Sequence, residues 1–245
     1  FVPLRIAIHG KSFSAENRPL MENLWDILCK KDCQIVLSAF FKNHLAEHQF
    51  QVGDMESYEE QSGTPADVQM AWSIGGDGTL LETLTHIGNK ELPILGINTG
   101  RLGFLATLSP QDVSVAVDQL IAGNYRIEDR TLVSVHSEID LFDGKQFGLN
   151  EVGIMKTDTS SMIVIKAYVD GNYLNTYWAD GLIVSTATGS TGYSLSVGGP
   201  LVMPSSDILI IAPMSPHNLN VRPLVVSSDA KLKFEISSRS QNFLI

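Results

Sequence analysis

The chain has 245 residues, 44% of them hydrophobic and 18% charged, with a mean hydropathy of +0.08. That balance suits one large folded domain or two modest ones and excludes disorder, which needs fewer apolar residues and more net charge. Seventeen Lys and Arg against 27 Asp and Glu leave a formal net charge of −10, which argues against nucleic acid and anionic membrane as partners, because phosphate affinity is built from basic side chains.

Residues 4–8 form a short apolar run ending in His9-Gly10, a strand entering a glycine turn. Over 19–29, Leu20, Met21, Leu24, Ile27 and Leu28 recur at helical spacing. A second strand is expected over 34–41, a polar loop over 53–63, and a third strand over 68–74. That strand runs into Gly75-Gly76-Asp77-Gly78-Thr79, after which Leu80, Leu81, Leu84 and Ile87 keep a helical period up to Gly88. A fourth strand follows at 93–98, then a helix over 112–122 with Gly123 as its C-cap. Strand and helix alternating in this way predict an open parallel α/β sheet.

Beyond residue 124 the pattern changes to short strands, at 130–141, 163–169, 182–184, 207–212 and 231–236. Asp143-Gly144 and Asp170-Gly171-Asn172 supply hairpin-type turns. The expected organisation is an α/β nucleotide- and phosphate-binding domain over 1–124 and a β-rich, sandwich-like domain over 125–245. The longest apolar runs, such as 208–212, are strand-sized and far below the ~18 residues of a membrane span. Cys29 and Cys33 fit neither a redox pair nor a zinc half-site. They suggest two thiols in a reducing cytosol, and with no signal-peptide pattern the expected location is cytoplasmic. Phe1 in place of Met and a strand-like 243–245 suggest that both ends are cut, with a C-terminal segment expected past the last residue.

The densest chemical signal is Gly75-Gly76-Asp77-Gly78-Thr79, at the carboxyl end of a buried strand and the start of a helix. Glycines that adopt positive φ can turn backbone N–H groups toward an anion, and Thr79 with the helix N-terminus adds donors. A carboxylate amid such donors makes sense if Asp77 takes a proton from an attacking hydroxyl or helps to hold a metal. The bland alternative is an N-cap aspartate between turn glycines. The spacing matches neither the dinucleotide-binding nor the P-loop pattern. A second signal is 180–200, where a buried strand from Asp180 leads into a hydroxyl- and glycine-rich run containing Thr188, Thr191, Gly192, Tyr193, Ser194, Leu195 and Ser196. Such a run suits a phosphorylated or polyhydroxylated ligand. Asn150-Glu151 pairs an amide with an acceptor, fit for sugar hydroxyls or an adenine edge, although on spacing alone a turn explains it better. The histidines carry no metal-ligand spacing, so no protein-held metal is expected, and His217 is expected to be structural.

Taken together, these stretches resemble the ATP-dependent NAD kinases. Gly75 to Thr79, Asn98-Thr99-Gly100-Arg101-Leu102-Gly103-Phe104-Leu105, Asn150-Glu151, 180–200 and Pro216-His217-Asn218-Leu219-Asn220-Val221-Arg222-Pro223 occur in the family's order. The first motif is shared with diacylglycerol, sphingosine and 6-phosphofructo kinases, whereas the long second motif is more selective. The resemblance implies transfer of the γ-phosphoryl of ATP to the 2′-hydroxyl of the adenosine ribose of NAD, with Mg²⁺ or another divalent cation bridging the ATP phosphates. It makes Asp77 the proton acceptor and assigns Gly75, Gly76, Gly78 and Thr79 to ligand binding. It gives NAD contacts to Asn150, Glu151 and Asp180, places Phe104 beside the adenine, and lines the adenosine with 191–196. It also implies a homodimer or homotetramer whose NAD sites are completed by a neighbouring subunit. Three positions depart from the family pattern: Ala187 where Pro is usual, Gly192 where Ala is usual, both expected to loosen the loop, and Trp178 where many members carry Arg. A diacylglycerol-type lipid kinase and a non-catalytic NAD-binding module are the rival readings. The acidic charge and the hydroxyl-rich run weigh against the lipid.

Overall fold

The computed structural model describes residues 3–31, 33–100, 103–157, 161–239 and 242–245. Arg101 and Leu102 of the stretch from Asn98 to Leu105 lie outside the described residues. The chain divides into two compact units, Phe1–Ile127 and Glu128–Ile245.

The first unit runs β1 (Leu4–Gly10), α1 (Arg18–Lys30), β2 (Cys33–Ser38), α2 (Ala39–Glu47), β3 (Glu56–Tyr58), β4 (Met70–Gly75), α3 (Asp77–Ile87), β5 (Ile94–Asn98) and α4 (Val113–Ile121). All five strands pair in parallel, in the order β3-β2-β1-β4-β5. The middle strands β1 and β4 are buried for most of their length, as a sheet flanked by helices on both faces requires. Helix α1 starts with Pro19 in its first turn and buries Met21, Leu24, Trp25 and Leu28, one stripe at helical period. These side chains pack with Ile6, Ile8, Leu37, Trp72, Ile97, Val113 and Val117. Each side chain of this size contributes roughly 1.5–3 kcal/mol on full burial.

Two expectations are corrected in this half. The strand expected over 34–41 ends at Ser38, and the chain turns at once into α2, which buries Phe41 and Leu45 four residues apart. Phe40 and Phe41 continue an apolar run and so extend the strand pattern, but only the i, i+4 pair reaches the core. The loop expected over 53–63 contains the edge strand β3 and a 3₁₀ turn, Glu60–Ser62. β3 has three residues, two of them exposed, too short to produce an alternation.

The second unit comprises β6 (Val133–Ser134), β7 (Phe147–Gly148), β8 (Glu151–Lys156), β9 (Ile163–Val169), β10 (Asn172–Ala179), β11 (Gly181–Thr186), the single-turn helix α5 (Tyr193–Ser196), β12 (Ile208–Met214), β13 (Leu224–Ser227), β14 (Leu232–Ser237) and β15 (Phe243–Leu244). A five-stranded antiparallel sheet, β13-β12-β11-β8-β15, and a three-stranded one, β10-β9-β14, share a core. Ile154, Leu182 and Ile211 of the first pack with Ile163, Ile165, Ala167 and Tyr177 of the second, a sandwich arrangement. The two-residue turn between β9 and β10 has Asp170 at φ 50° and Gly171 at φ 79°, as a hairpin with both central residues left-handed needs. The strand expected over 130–141 shrinks to Val133–Ser134 paired with Phe147–Gly148. Asp143 and Gly144 do turn with positive φ, but inside a longer connection. Among the described residues, no helix is long and apolar enough to cross a membrane.

Candidate active site

In the first unit β2 and β3 lie to one side of β1, while β4 and β5 lie to the other. The strand order therefore reverses between β1 and β4, and the crevice outside their carboxyl ends is where open α/β sheets take ligands. Gly10 at the end of β1 stands in register with Ile74, and β4 ends one residue later at Gly75.

Gly76 is the N-cap of α3 and Asp77 its first residue. Of the three loop glycines only Gly75 has a positive φ, and there a Cβ would lie 2.3 Å from Thr79 Oγ1. Gly76 and Gly78 have nothing within 4 Å of a would-be Cβ. The expectation that all three glycines supply positive φ is therefore corrected: two of them leave room for a ligand instead of bending the chain.

Gly76, not Asp77, holds the N-cap position of α3, and the hydrogen bonds of the Asp77 carboxylate go elsewhere. The side chain reaches across to the loop after β5. There Oδ2 accepts the Phe104 N–H at 2.8 Å and Oδ1 accepts the N–H groups of Leu105 and Ala106, each at 3.0 Å. A carboxylate offers about four lone-pair directions, so among the described residues the one left without a donor is on Oδ2. Gly103 must be glycine for this seat, because a Cβ there would meet Asp77 Oδ1 at 2.2 Å. Buried Asn98 braces the same loop. Its Oδ1 accepts the Gly100 N–H at 2.8 Å and its Nδ2 donates to the Ala106 carbonyl at 3.2 Å. The Phe104 ring itself is 70% exposed. Gly103 and Asn98 are positioning residues that sequence reasoning did not single out. Their signal was present in the quoted motif, but nothing local connects it to Asp77, which lies more than twenty residues upstream.

In the second unit, β11 enters a 3₁₀ turn, Thr188–Thr191, and then α5. Much of the hydroxyl density is consumed within the turn. Thr186 Oγ1 donates to the Leu149 carbonyl at 2.6 Å and accepts the Gly189 N–H at 3.1 Å. Ser190 Oγ bridges the N–H and C=O of Val202, both at 3.2 Å. The Asn150 carbonyl accepts the Thr186 N–H at 2.8 Å, and a Cβ on Gly189 would lie 2.0 Å from that oxygen. The turn is thus clamped onto Asn150, and Ala187 within it is buried. Thr188 and Ser194 are buried, Thr191 and Gly192 half-buried, and Tyr193, Leu195 and Ser196 face solvent.

What the clamp exposes is a pair of unsatisfied acceptors. Asn150 Oδ1 and Glu151 Oε2 are buried with no hydrogen-bond partner, although buried polar atoms are normally paired. Burial pushes the Glu151 carboxyl up from its ordinary range, and the backbone N–H of Tyr193 partly offsets this. Gly192 clears the space beside it, since a Cβ there would come 3.0 Å from Glu151 Oε2. Asn150 lies between β7 and β8 and Glu151 opens β8, so the turn reading applies to the first residue only. Asp180 pairs with Lys156 Nζ at 2.6 Å. Trp178 is exposed, and its carbonyl accepts the His217 N–H at 2.7 Å.

Comparison with known proteins bears on both units. The ATP-NAD kinase N-terminal domain matches residues 6–125 and the ATP-NAD kinase C-terminal domain matches residues 149–245. The chain belongs to the ATP-NAD kinase family. The NAD kinase of Cytophaga hutchinsonii is 46% identical over 239 residues, 98% of this chain and 82% of that protein. That of Flavobacterium psychrophilum is 39% identical over 244 residues, 99% of this chain and 83% of that protein. Among solved structures, an NAD kinase from Archaeoglobus fulgidus in complex with ATP superposes with a TM-score of 0.68 at 25% identity, covering 99% of this chain and 86% of that one. Yeast NADH kinase complexed with NADH gives a TM-score of 0.81 at 22% identity, covering 96% and 73%, and so shares the fold. As a family member the chain is a transferase of the kinase class. The lipid-kinase and non-catalytic readings are not favoured.

Proposed function

We propose that the protein transfers the γ-phosphoryl of ATP to the 2′-hydroxyl of the adenosine ribose of NAD, giving NADP and ADP, with Asp77 as proton acceptor. The seating of Asp77 carries the assignment of that role. Three backbone N–H groups fix its carboxylate at the strand-reversal crevice and leave one Oδ2 lone pair free for a hydroxyl proton. A ribose hydroxyl is a weak acid, so a base held at hydrogen-bond distance lowers the barrier to attack on phosphorus. Gly75, Gly76, Gly78 and Thr79 then lie under the phosphates, with the N-terminus of α3 facing their charge.

The donor-hungry pair Asn150 and Glu151 suits hydroxyls of NAD, with Tyr193, Leu195 and Ser196 as the exposed wall beside it and Thr188, Thr191, Gly192 and Ser194 shaping the turn behind. Asp180, held by Lys156, is assigned to the nicotinamide end, and the exposed Phe104 ring to the adenine. A divalent cation such as Mg²⁺ fits this site only as a passenger on the ATP phosphates, because Asp77, the carboxylate of the glycine loop, has three of its lone pairs occupied. Bound there it would neutralise phosphate charge. Thiols at Cys29 and Cys33, with no disulfide, accord with a cytoplasmic location, and a homodimer or homotetramer is part of the same reading.

The test is ADP release measured with NAD present and absent, on wild type and on Asp77→Asn. NAD-dependent release is expected, falling by ~10²–10⁴ in the variant, the range that general-base help supplies. NAD affinity measured by calorimetry should stay near normal. An Asp77→Asn variant with comparable turnover removes Asp77 from the mechanism, and release that is indifferent to NAD removes the acceptor.

A further inference from the structure

Folding gathers three residues that the proposed reaction does not use. His9 closes strand β1, while Glu82 and His86 stand four apart on α3 and so share one face of the helix. A ring nitrogen of each histidine and a carboxylate oxygen of Glu82 all lie within 4.8 Å of one another. One pair, His9 Nε2 and Glu82 Oε2, is already at 3.5 Å. Ligand atoms around a tetrahedral ion with bonds of 2.0–2.2 Å stand about 3.4 Å apart, so a small inward shift of side chains would complete a three-ligand set.

The surroundings have the features of a built site. His9 is 2% exposed, and its Nδ1 lies 3.1 Å from buried Ser38 Oγ. A neighbour on one ring nitrogen is what orients the other toward a metal. His9 Nε2 has no hydrogen-bond partner meeting ordinary geometry, since 3.5 Å is long for a charge-assisted bond. The His9 and His86 rings meet edge to face at 4.4 Å, and both are buried. Glu82 is 41% exposed, which leaves an entry path from solvent. Among the described residues the competing cation is Lys11, whose Nζ lies 2.8 Å from Glu82 Oε2, and its side chain is exposed enough to swing away.

We propose that His9, Glu82 and His86 bind a divalent transition-metal ion, Zn²⁺ foremost, that staples α3 to β1. Two imidazoles and one carboxylate suit Zn²⁺, Co²⁺ or Ni²⁺ and are a poor set for Mg²⁺, which takes oxygen ligands. The site is separate from any cation carried in by ATP. Its role is structural: α3 begins with Asp77, so a metal here would fix the helix that carries the reactive carboxylate.

The experiment uses untagged, chelator-treated full-length protein titrated with Zn²⁺, and with Co²⁺ for its visible absorption. One Zn²⁺ per chain is expected, with a rise in Tm and a tetrahedral-type Co²⁺ spectrum. Glu82→Gln and His86→Gln should each weaken binding at least tenfold. Lys11→Ala alters only an exposed side chain and removes the competing ammonium, so it should tighten binding. Absence of stoichiometric Zn²⁺ in wild type overturns the proposal, as does binding that is indifferent to Glu82→Gln and to Lys11→Ala. In either case the cluster is an ion-pair network of Lys11, Glu82 and His9 alone.

Discussion

At the scale of single residues, Glu151 is a buried carboxyl whose Oε2 has no hydrogen-bond partner, and the proposed role in binding NAD turns on that. Its carboxyl is raised above the ordinary glutamate range by burial. A group whose folded pKa exceeds its unfolded value favours the folded state while protonated and loses that contribution as pH rises through the folded pKa. At neutral pH, therefore, the ionised carboxylate is a cost to the unliganded fold. A ligand hydroxyl donating to Oε2 would relieve that cost, because hydrogen bonds to an ionised acceptor are the stronger kind. Two opposite outcomes follow for Glu151→Gln. Tm of the free protein should rise at pH 7, while KM for NAD should increase. In wild type, KM for NAD should climb as pH falls from neutral toward the raised pKa, and the Gln variant should lack that dependence. Thermal unfolding and NAD titration of rate at several pH values check both. A variant with unchanged KM and the same pH profile detaches Glu151 from NAD.

At the scale of elements, the loop after β5 matters more than its sequence suggests. It donates three N–H groups to Asp77 and, beyond an isolated bridge from Leu108 to Ile97, its described residues up to that point belong to no helix or strand. Gly103→Ala drives a methyl to 2.2 Å from the Asp77 carboxylate, so the side chain or the loop must move. Overpacking of this kind costs about 1–3 kcal/mol, and displacement of a base by about 1 Å is worth ~10² in rate. The expected result is a lowered Tm and a kcat at least ~10²-fold down with little change in KM for NAD. Gly78→Ala is the control. It has open space in the first turn of α3, so the helix preference for Ala, about 1 kcal/mol, should raise Tm, and KM for ATP should increase if the glycine serves close approach of phosphate. If Gly103→Ala turns over normally, the loop does not position the base.

The same elements show what a sequence can disclose. α1, α3, β5, β9, β12 and the turn at Asp170-Gly171 were legible because each carries its own periodicity or turn chemistry. α2 was hidden behind an apolar run shared with β2, and β3, β6 and β13 are too short to alternate. For the site, the glycine–aspartate loop and Asn150-Glu151 could be found as motifs. The grip on Asp77 and the meeting of His9 with Glu82 and His86 could not, because both depend on strand order bringing distant segments together.

At the scale of the whole molecule, the charge of −10 and the exposed apolar surface pull in different directions. Net charge keeps copies apart, whereas the second unit presents Trp178, Leu201, Met203 and Leu219, each more than half exposed. It also leaves β13 as a sheet edge with Leu224 and Val225 facing solvent. An edge strand with exposed apolar residues is a template for pairing unless something covers it. The proposed oligomer would cover this apolar edge against the charge repulsion, so light scattering at micromolar concentration should give a multiple of 26.8 kDa. Val225→Lys puts a charge on the edge, a substitution that natural edges use against pairing. It should shift the mass toward the single chain and, on the proposed reading in which a neighbour finishes the NAD site, lower NAD-dependent turnover with it. A wild-type mass of one chain would end the oligomer reading. An assembly that survives Val225→Lys would move the interface away from β13, onto the face that carries Trp178 and Leu219.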